Sequence, residues 1–211
     1  MTQTGNDDQL TGGAPGALVD IVHRIEGAEA LDGLGAVVEQ ASRALEEPGI
    51  NRILSGAWMG HALHPLMTDF PIGAWTSATV LDLFGGRRSR AAAQGLVLFG
   101  LACTAPTVAS GLVEWRRTSP PDSRVGVVHA ALNGVAAVCF AASVIPRARG
   151  RRLRTAGWSL AGGAFLSAGG YLGGHLAIAR KVGSRDLDLA DGTPGLNGES
   201  GSPQEPSLSR N

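Results

Sequence analysis

Apolar residues gather into four runs between Pro65 and Ala179, and the chain on either side of them is polar. The runs cover residues 65–84, 91–113, 125–145 and 155–179. As helices, each is long enough to approach or cross the roughly 30 Å hydrocarbon core of a bilayer. They are apolar around most of the helical circumference rather than along one stripe, which argues against a soluble bundle. The pattern predicts an all-α integral membrane four-helix bundle, residues 54–182, preceded by an amphipathic helical segment and flanked by disordered termini.

Prolines set the details of the runs. A helix from Pro71 to Phe84 would be only about 21 Å long. The first span therefore starts at Pro65, a favoured first-turn position, and bends at Pro71, which leaves the Met67 carbonyl without its helical donor. Pro106 predicts a second bend, with Thr104 and Thr107 beside it to satisfy freed backbone groups. The connector RRTSPPDSR reads as a loop by its paired prolines, and Pro146 closes the third run. In the last run Gly169/Gly173 and Gly170/Gly174 have the small-xxx-small spacing that lets membrane helices approach closely.

Ahead of the runs, residues 1–14 have the composition of disorder, as does the tail 183–211. Residues 15–50 form the amphipathic segment. Leu18, Ile21, Val22 and Ile25, then Leu34, Val37, Val38, Ala41 and Leu45, follow helical spacing. A break near Asp32-Gly33 and a stop at Pro48-Gly49 divide it into two short helices. Its polar face is acidic (Asp20, Glu26, Glu29, Asp32, Glu39), whereas membrane-surface helices carry Lys and Arg there. The segment is therefore expected to pack on itself, on a partner copy or on another protein, with His23 solvated.

Ionisable groups on a membrane span are costly and are functional hypotheses by default. Four crossings deliver His61, His64, Glu114, His129 and His175 to one end of the bundle, side A, and Asp82 to the other, side B. At 100° per residue His61, His64, Thr68, Trp75, Thr79 and Asp82 lie in one stripe on the first span. Asp69 falls off it. His129 shares a face with Asn133, and Tyr171 with His175. His129 and His175 have similar depths on different spans, as two axial ligands of a b-type haem require. Three histidines with Glu114 or Asp69 suit a zinc or copper ion equally, and histidines titrating near neutrality suit proton or quinone handling. No local ligand spacing selects among these. Simpler roles are helix capping for the histidines, pairing of Glu114 with Arg116 or Arg117, and an ion pair of Asp82 with Arg87 or Arg88.

The net charge is zero, which gives no sign of nucleic-acid binding, and every basic residue but Lys181 is arginine. The arginines lie in turns. Those on side B (Arg87, Arg88, Arg90, Arg147, Arg149, Arg151, Arg152, Arg154) narrowly outnumber the basic residues on side A, which puts side B in the cytoplasm and both termini outside a multi-pass plasma-membrane protein. The N-terminus, MTQTGNDDQL, has neither the basic start nor the apolar core of a secretory signal. Cys103 and Cys139 fall inside apolar runs without metal or redox spacing and read as packing.

The run GHALHPLMTDFPIGAWTSATVLDLFGG resembles an uncharacterised bacterial four-span membrane family, domain of unknown function 2231. The likeness rests on His64-Pro65, Asp69, Phe70-Pro71-Ile72-Gly73 and Asp82, with His129 and His175 matching histidines on the third and last spans. It covers about Leu54 to Val182. It is nearest to a subgroup whose longer members continue into a Rieske iron–sulfur domain, which implies a redox neighbourhood. This chain has neither cysteine nor histidine after Ala179, so no iron–sulfur cluster is expected in it. The preferred expectation is a membrane electron-transfer component with no catalytic residues of its own. His64, His129 and His175 would hold haem or a divalent metal, and His61, Asp69, Glu114, Asn133 and Tyr171 would support them. Pro71, Asp82, Pro106, Gly169, Gly170, Gly173 and Gly174 are expected to be structural. The expected partners are the bilayer, a soluble redox protein docking through residues 15–48, and a second copy of the chain. The alternatives are a non-enzymatic scaffold for a soluble partner and a metal-binding or transport protein.

Overall fold

A computed structural model describes residues 16–115 and 118–183. The expected disordered segment 1–14 and the tail beyond Gly183 lie outside the described residues, as do Arg116 and Arg117. The described chain is all-α, with no strand. Three short helices, α1 (Ala17–Glu26), α2 (Asp32–Ser42) and α3 (Pro48–Leu54), precede four long ones. These are α4 (Leu63–Phe84), α5 (Arg90–Trp115), α6 (Pro120–Ala148) and α7 (Arg152–Gly174), which loosens into a π-turn over His175–Ala179.

The long helices pack α4 on α5 and α6 on α7, and the contacts α4–α7 and α5–α6 close the arrangement. α5 and α6 are each long and apolar enough to cross a membrane, with mean hydropathy 1.9. Most of their apolar surface is exposed, including Leu98, Phe99, Val108, Val135 and Val138. Exposed apolar side chains on helices of this length are what a lipid-facing surface presents. Beneath it, Trp75, Ala78, Ala93, Val97, Ala136, Phe140 and Leu166 form the core. Trp75 stacks on Phe140 with ring centroids 4.7 Å apart, and its Nε1 donates to the Val97 carbonyl at 3.3 Å. A Cβ at Gly100 would lie 2.4 Å from that nitrogen, so only glycine lets the indole approach α5.

Of the three prolines inside the long helices, Pro71, Pro106 and Pro146, only Pro71 has its freed carbonyl served by a threonine; neither Thr104 nor Thr107 bonds the Ala102 carbonyl that Pro106 frees, contrary to expectation. The Thr107 hydroxyl reaches the Met67 carbonyl on α4 at 3.1 Å and also the Cys103 carbonyl at 2.8 Å, sharing one proton between them. It thus serves the acceptor that Pro71 frees. Thr104 instead bonds the Gly100 carbonyl four residues back.

Three expectations need correction. The paired prolines of the RRTSPPDSR connector do not sit in a loop; they open α6, with Ser119 as N-cap accepting from the Asp122 N–H. A first-turn proline loses only an N–H that would have no helical partner. For the same segment, Pro146 does not close α6, which runs on to Ala148. In the N-terminal segment the break covers residues 27–31, immediately ahead of the expected Asp32-Gly33, and Asp32 begins α2.

α1 and α2 dock on the side A ends of α5 and α6. Val22 is buried with Val125 and Leu172. Arg124 grips Asp32 with Nε at 2.7 Å and Nη2 at 2.9 Å, and its Nη1 donates to the Glu26 carbonyl at 2.7 Å. The hydrogen bond from Arg124 holds the Asp32 carboxyl below the ordinary carboxylate range. The acidic face of the segment thus meets arginine from its own chain.

Candidate functional site

The site is built from four helices near side A. His64 lies in the first turn of α4, behind Pro65, and His129 lies nine residues into α6. Their imidazoles meet edge to face, with centroids 6.2 Å apart and ring planes at 79°. Both side chains are only partly exposed.

Each ring is tied to the backbone of a neighbouring helix. His64 Nδ1 lies 2.9 Å from the Thr107 carbonyl of α5, and His129 Nδ1 lies 2.8 Å from the Gly169 carbonyl of α7. A carbonyl oxygen only accepts, so each Nδ1 carries the proton and, in the neutral ring, each Nε2 keeps an acceptor lone pair. Ser110 donates to the same Thr107 carbonyl at 2.7 Å, filling its second lone pair. Asn133 donates to the His129 carbonyl at 2.8 Å, with its amide nitrogen 3.3 Å from His129 Nδ1.

Glycines make the approach possible. A Cβ at Gly111 would fall 2.9 Å from His64 Cε1, and one at Gly173 would fall 2.8 Å from His129 Cε1. A Cβ at Gly169 would strike the Asn133 amide at 2.7 Å. Gly169 and Gly173 therefore face α6, whereas Gly170 and Gly174 meet nothing within 4 Å.

Of the residues singled out in the sequence, His64, His129 and Asn133 come together. His175 is instead in the π-turn, with Nε2 3.2 Å from Glu26 Oε1. There it belongs to a docking cluster with Arg180, which bonds Asp122 and lies 3.9 Å from Glu26. His61 is exposed, its Nδ1 3.1 Å from the Ala62 carbonyl. Asp69 and Tyr171 are also exposed. Glu114 is buried, its carboxylate beside Gly183. Thr107, Ser110 and Gly111 enter the site although no ligand chemistry marks them. Their signal is positional: they follow Pro106 by one to five residues. Among the described residues no group of three or more His, Cys, Asp or Glu is placed to hold a metal ion.

Asp82 pairs with neither Arg87 nor Arg88. It accepts from Arg147 Nε at 3.1 Å and again from Nη2, and Ser159 donates to it at 2.7 Å. Arg147 Nη1 donates to Ser143 at 2.9 Å. The pair is buried, with Arg147 1% and Asp82 6% exposed.

The family described as predicted membrane protein (DUF2231) matches residues 60–186, a range that includes His61, His64, Asp82, His129, Arg147 and His175. No match is found among curated proteins or among solved structures.

Proposed function

The chain belongs to the DUF2231 family of predicted membrane proteins, and on that premise we propose a membrane electron-transfer protein in which His64 and His129 would hold a b-type haem. On this reading all four long helices cross the cell membrane, and the imidazole pair and both termini lie on the extracytoplasmic side.

The observation that carries the proposal is the pair itself: two rings from different helices, each spending its Nδ1 proton on a backbone carbonyl. Metal-ligating histidines almost always anchor the non-ligating nitrogen in this way, which fixes tautomer and orientation. Two protein donors, with no third placed beside them among the described residues, suit a group that brings most of its own ligands, rather than a zinc ion held by three or four side chains. When bound, haem with two imidazoles supplies one-electron transfer at a potential set by the ligands and their burial. The chain's residues supply the rest. The Thr107 and Gly169 carbonyls hold both Nδ1 protons in place, and Gly111 and Gly173 keep the ring positions clear.

The test is the iron and haem content of the full chain, purified in mild detergent after expression with adequate haem. Wild type and His175→Ala retain haem stoichiometrically; His64→Ala and His129→Ala lose it while keeping their helical circular dichroism. Haem-free wild type, or haem kept by both of the latter variants, refutes the proposal.

A second reading, a scaffold docking a soluble partner through residues 15–48, draws on the apolar residues left exposed on the docked segment, notably Leu18, Ile21, Leu34 and Val37. Loss of a specific partner on deleting residues 15–48, with His129→Ala harmless, favours it.

A further inference from the structure

The side B turns enclose a cavity separate from the imidazole pair. It lies where α4, α5, α6 and α7 end or begin, lined by Asp82, Arg87, Arg90, Arg147, Gly150 and Arg152 among others. Four guanidinium groups thus face one carboxylate. That carboxylate is already engaged by Arg147 and Ser159. Arg152 donates to the Leu83 carbonyl at 2.7 Å, while Arg87 and Arg90 have no hydrogen-bond or ion-pair partner among the described residues. The cavity therefore carries a positive excess that nothing in the described chain offsets.

Three further features fit the same ligand chemistry. α5 starts at Arg90 and α7 at Arg152, so the N-termini of two long helices open beside the cavity, and helix N-termini favour anions. Gly150 has φ +69°, and a Cβ there would lie 3.0 Å from Arg90 Nη1; the glycine lets the turn fold under that guanidinium. Immediately beside the basic turns stand Phe84, 81% exposed, and Leu153, 88% exposed. Charge at the rim and bare apolar side chains next to it match the two halves of a phospholipid.

We propose that this cavity binds a phosphate group, carried either by an anionic phospholipid of the side B leaflet or by free phosphate. On the orientation given above, side B faces the cytoplasm, whose leaflet is rich in anionic lipid, and basic pockets between membrane helices bind such headgroups. Arg87 and Arg90 supply the uncommitted charge, and Arg147 stays structural through Asp82.

The experiment uses the full chain in mild detergent, titrated with phosphatidylglycerol, phosphatidylcholine or inorganic phosphate, and read by native mass spectrometry and by the shift in unfolding temperature. Wild type binds phosphatidylglycerol in preference to phosphatidylcholine, and Arg87→Gln/Arg90→Gln weakens this roughly thirtyfold, the effect of two basic residues near a headgroup. Arg87→Lys/Arg90→Lys retains most of the binding, which separates lost charge from a damaged fold. Inorganic phosphate that stabilises wild type but not the Gln variant, and displaces the lipid, identifies free phosphate as the source. Equal affinity for the two lipids with no effect of phosphate, or binding unchanged in the Gln variant, overturns the proposal.

Discussion

Replacing Asp82 by alanine strands a charge that has no means of discharge. Arg147 is 1% exposed and is held by Asp82 through Nε and Nη2, by Ser143 through Nη1 and by Ser159 through Nη2. Asp82→Ala removes the counter-charge and two of those bonds, and also the acceptor that Ser159 uses. A guanidinium stays protonated at any accessible pH, so it cannot escape by neutralising. Breaking a buried pair on one side costs about 3–5 kcal/mol. For a chain of this size 1 kcal/mol moves the midpoint by about 2–4 °C, so the loss is roughly 6–20 °C. Ser159→Ala removes one hydrogen bond to each charged partner but leaves the two charges paired, and costs about 1.5–3 kcal/mol. The double variant Asp82→Leu/Arg147→Met removes both charges and recovers most of the loss, because an apolar pair of similar volume often equals a buried ion pair. Thermal unfolding in mild detergent, followed by circular dichroism at 222 nm (roughly the helix band), reads all three. An Asp82→Ala shift no larger than that of Ser159→Ala, or a double variant worse than the single, refutes the reasoning.

Other expectations follow from single contacts. Gly173→Ala drives a methyl to 2.8 Å from His129 Cε1 and costs about 1–3 kcal/mol as overpacking. Gly170→Ala meets nothing and, as a better helix former, holds or slightly raises the unfolding midpoint, and equal midpoints for both variants contradict the packing described. Thr107→Val deprives the Met67 carbonyl, freed by Pro71, of its donor and costs about 1–3 kcal/mol, whereas Thr104→Val, whose hydroxyl only back-bonds within α5, costs less. Asp32 has its carboxyl lowered by Arg124, so its contribution to docking α1 and α2 is complete above the ordinary aspartate range and fades as pH falls through the lowered value. Limited proteolysis of residues 16–45 should therefore stay slow at pH 5 and quicken only well below pH 4 (approximate points on that scale); cleavage that quickens between pH 7 and 5 counts against the Arg124 clamp.

The long helices are legible in the sequence because a run of about twenty apolar residues is a local property that needs no partner to recognise. The carbonyl that Pro71 frees is legible for the same reason; the donor, Thr107, lies forty residues away in another helix. Counting residues inward from one face gives depth but not azimuth. It therefore groups His175 with His129, whereas the edge-to-face partner of His129 is His64. His175 lies where α7 loosens into a π-turn, and a π-turn rotates side chains away from the regular helical register. Its partner, Glu26, comes from an amphipathic segment whose docking partner periodicity alone does not identify. The same limit explains Asp82. Arg87 and Arg88 are near in sequence, but they follow a turn, while Arg147 is the residue after a proline that α6 passes through without ending. A proline late in a helix need not stop it, and here that tolerance places a guanidinium inside the bundle.

The central claim is that His64 and His129 form one ligand site inside the bundle, and the reduced-minus-oxidised absorbance spectrum of the purified full chain tests it most directly. The account predicts a Soret shift and a sharp α band typical of haem iron with two imidazoles, both abolished in His64→Ala and in His129→Ala. A flat difference spectrum from folded protein expressed with adequate haem contradicts it, as does an α band that survives both substitutions.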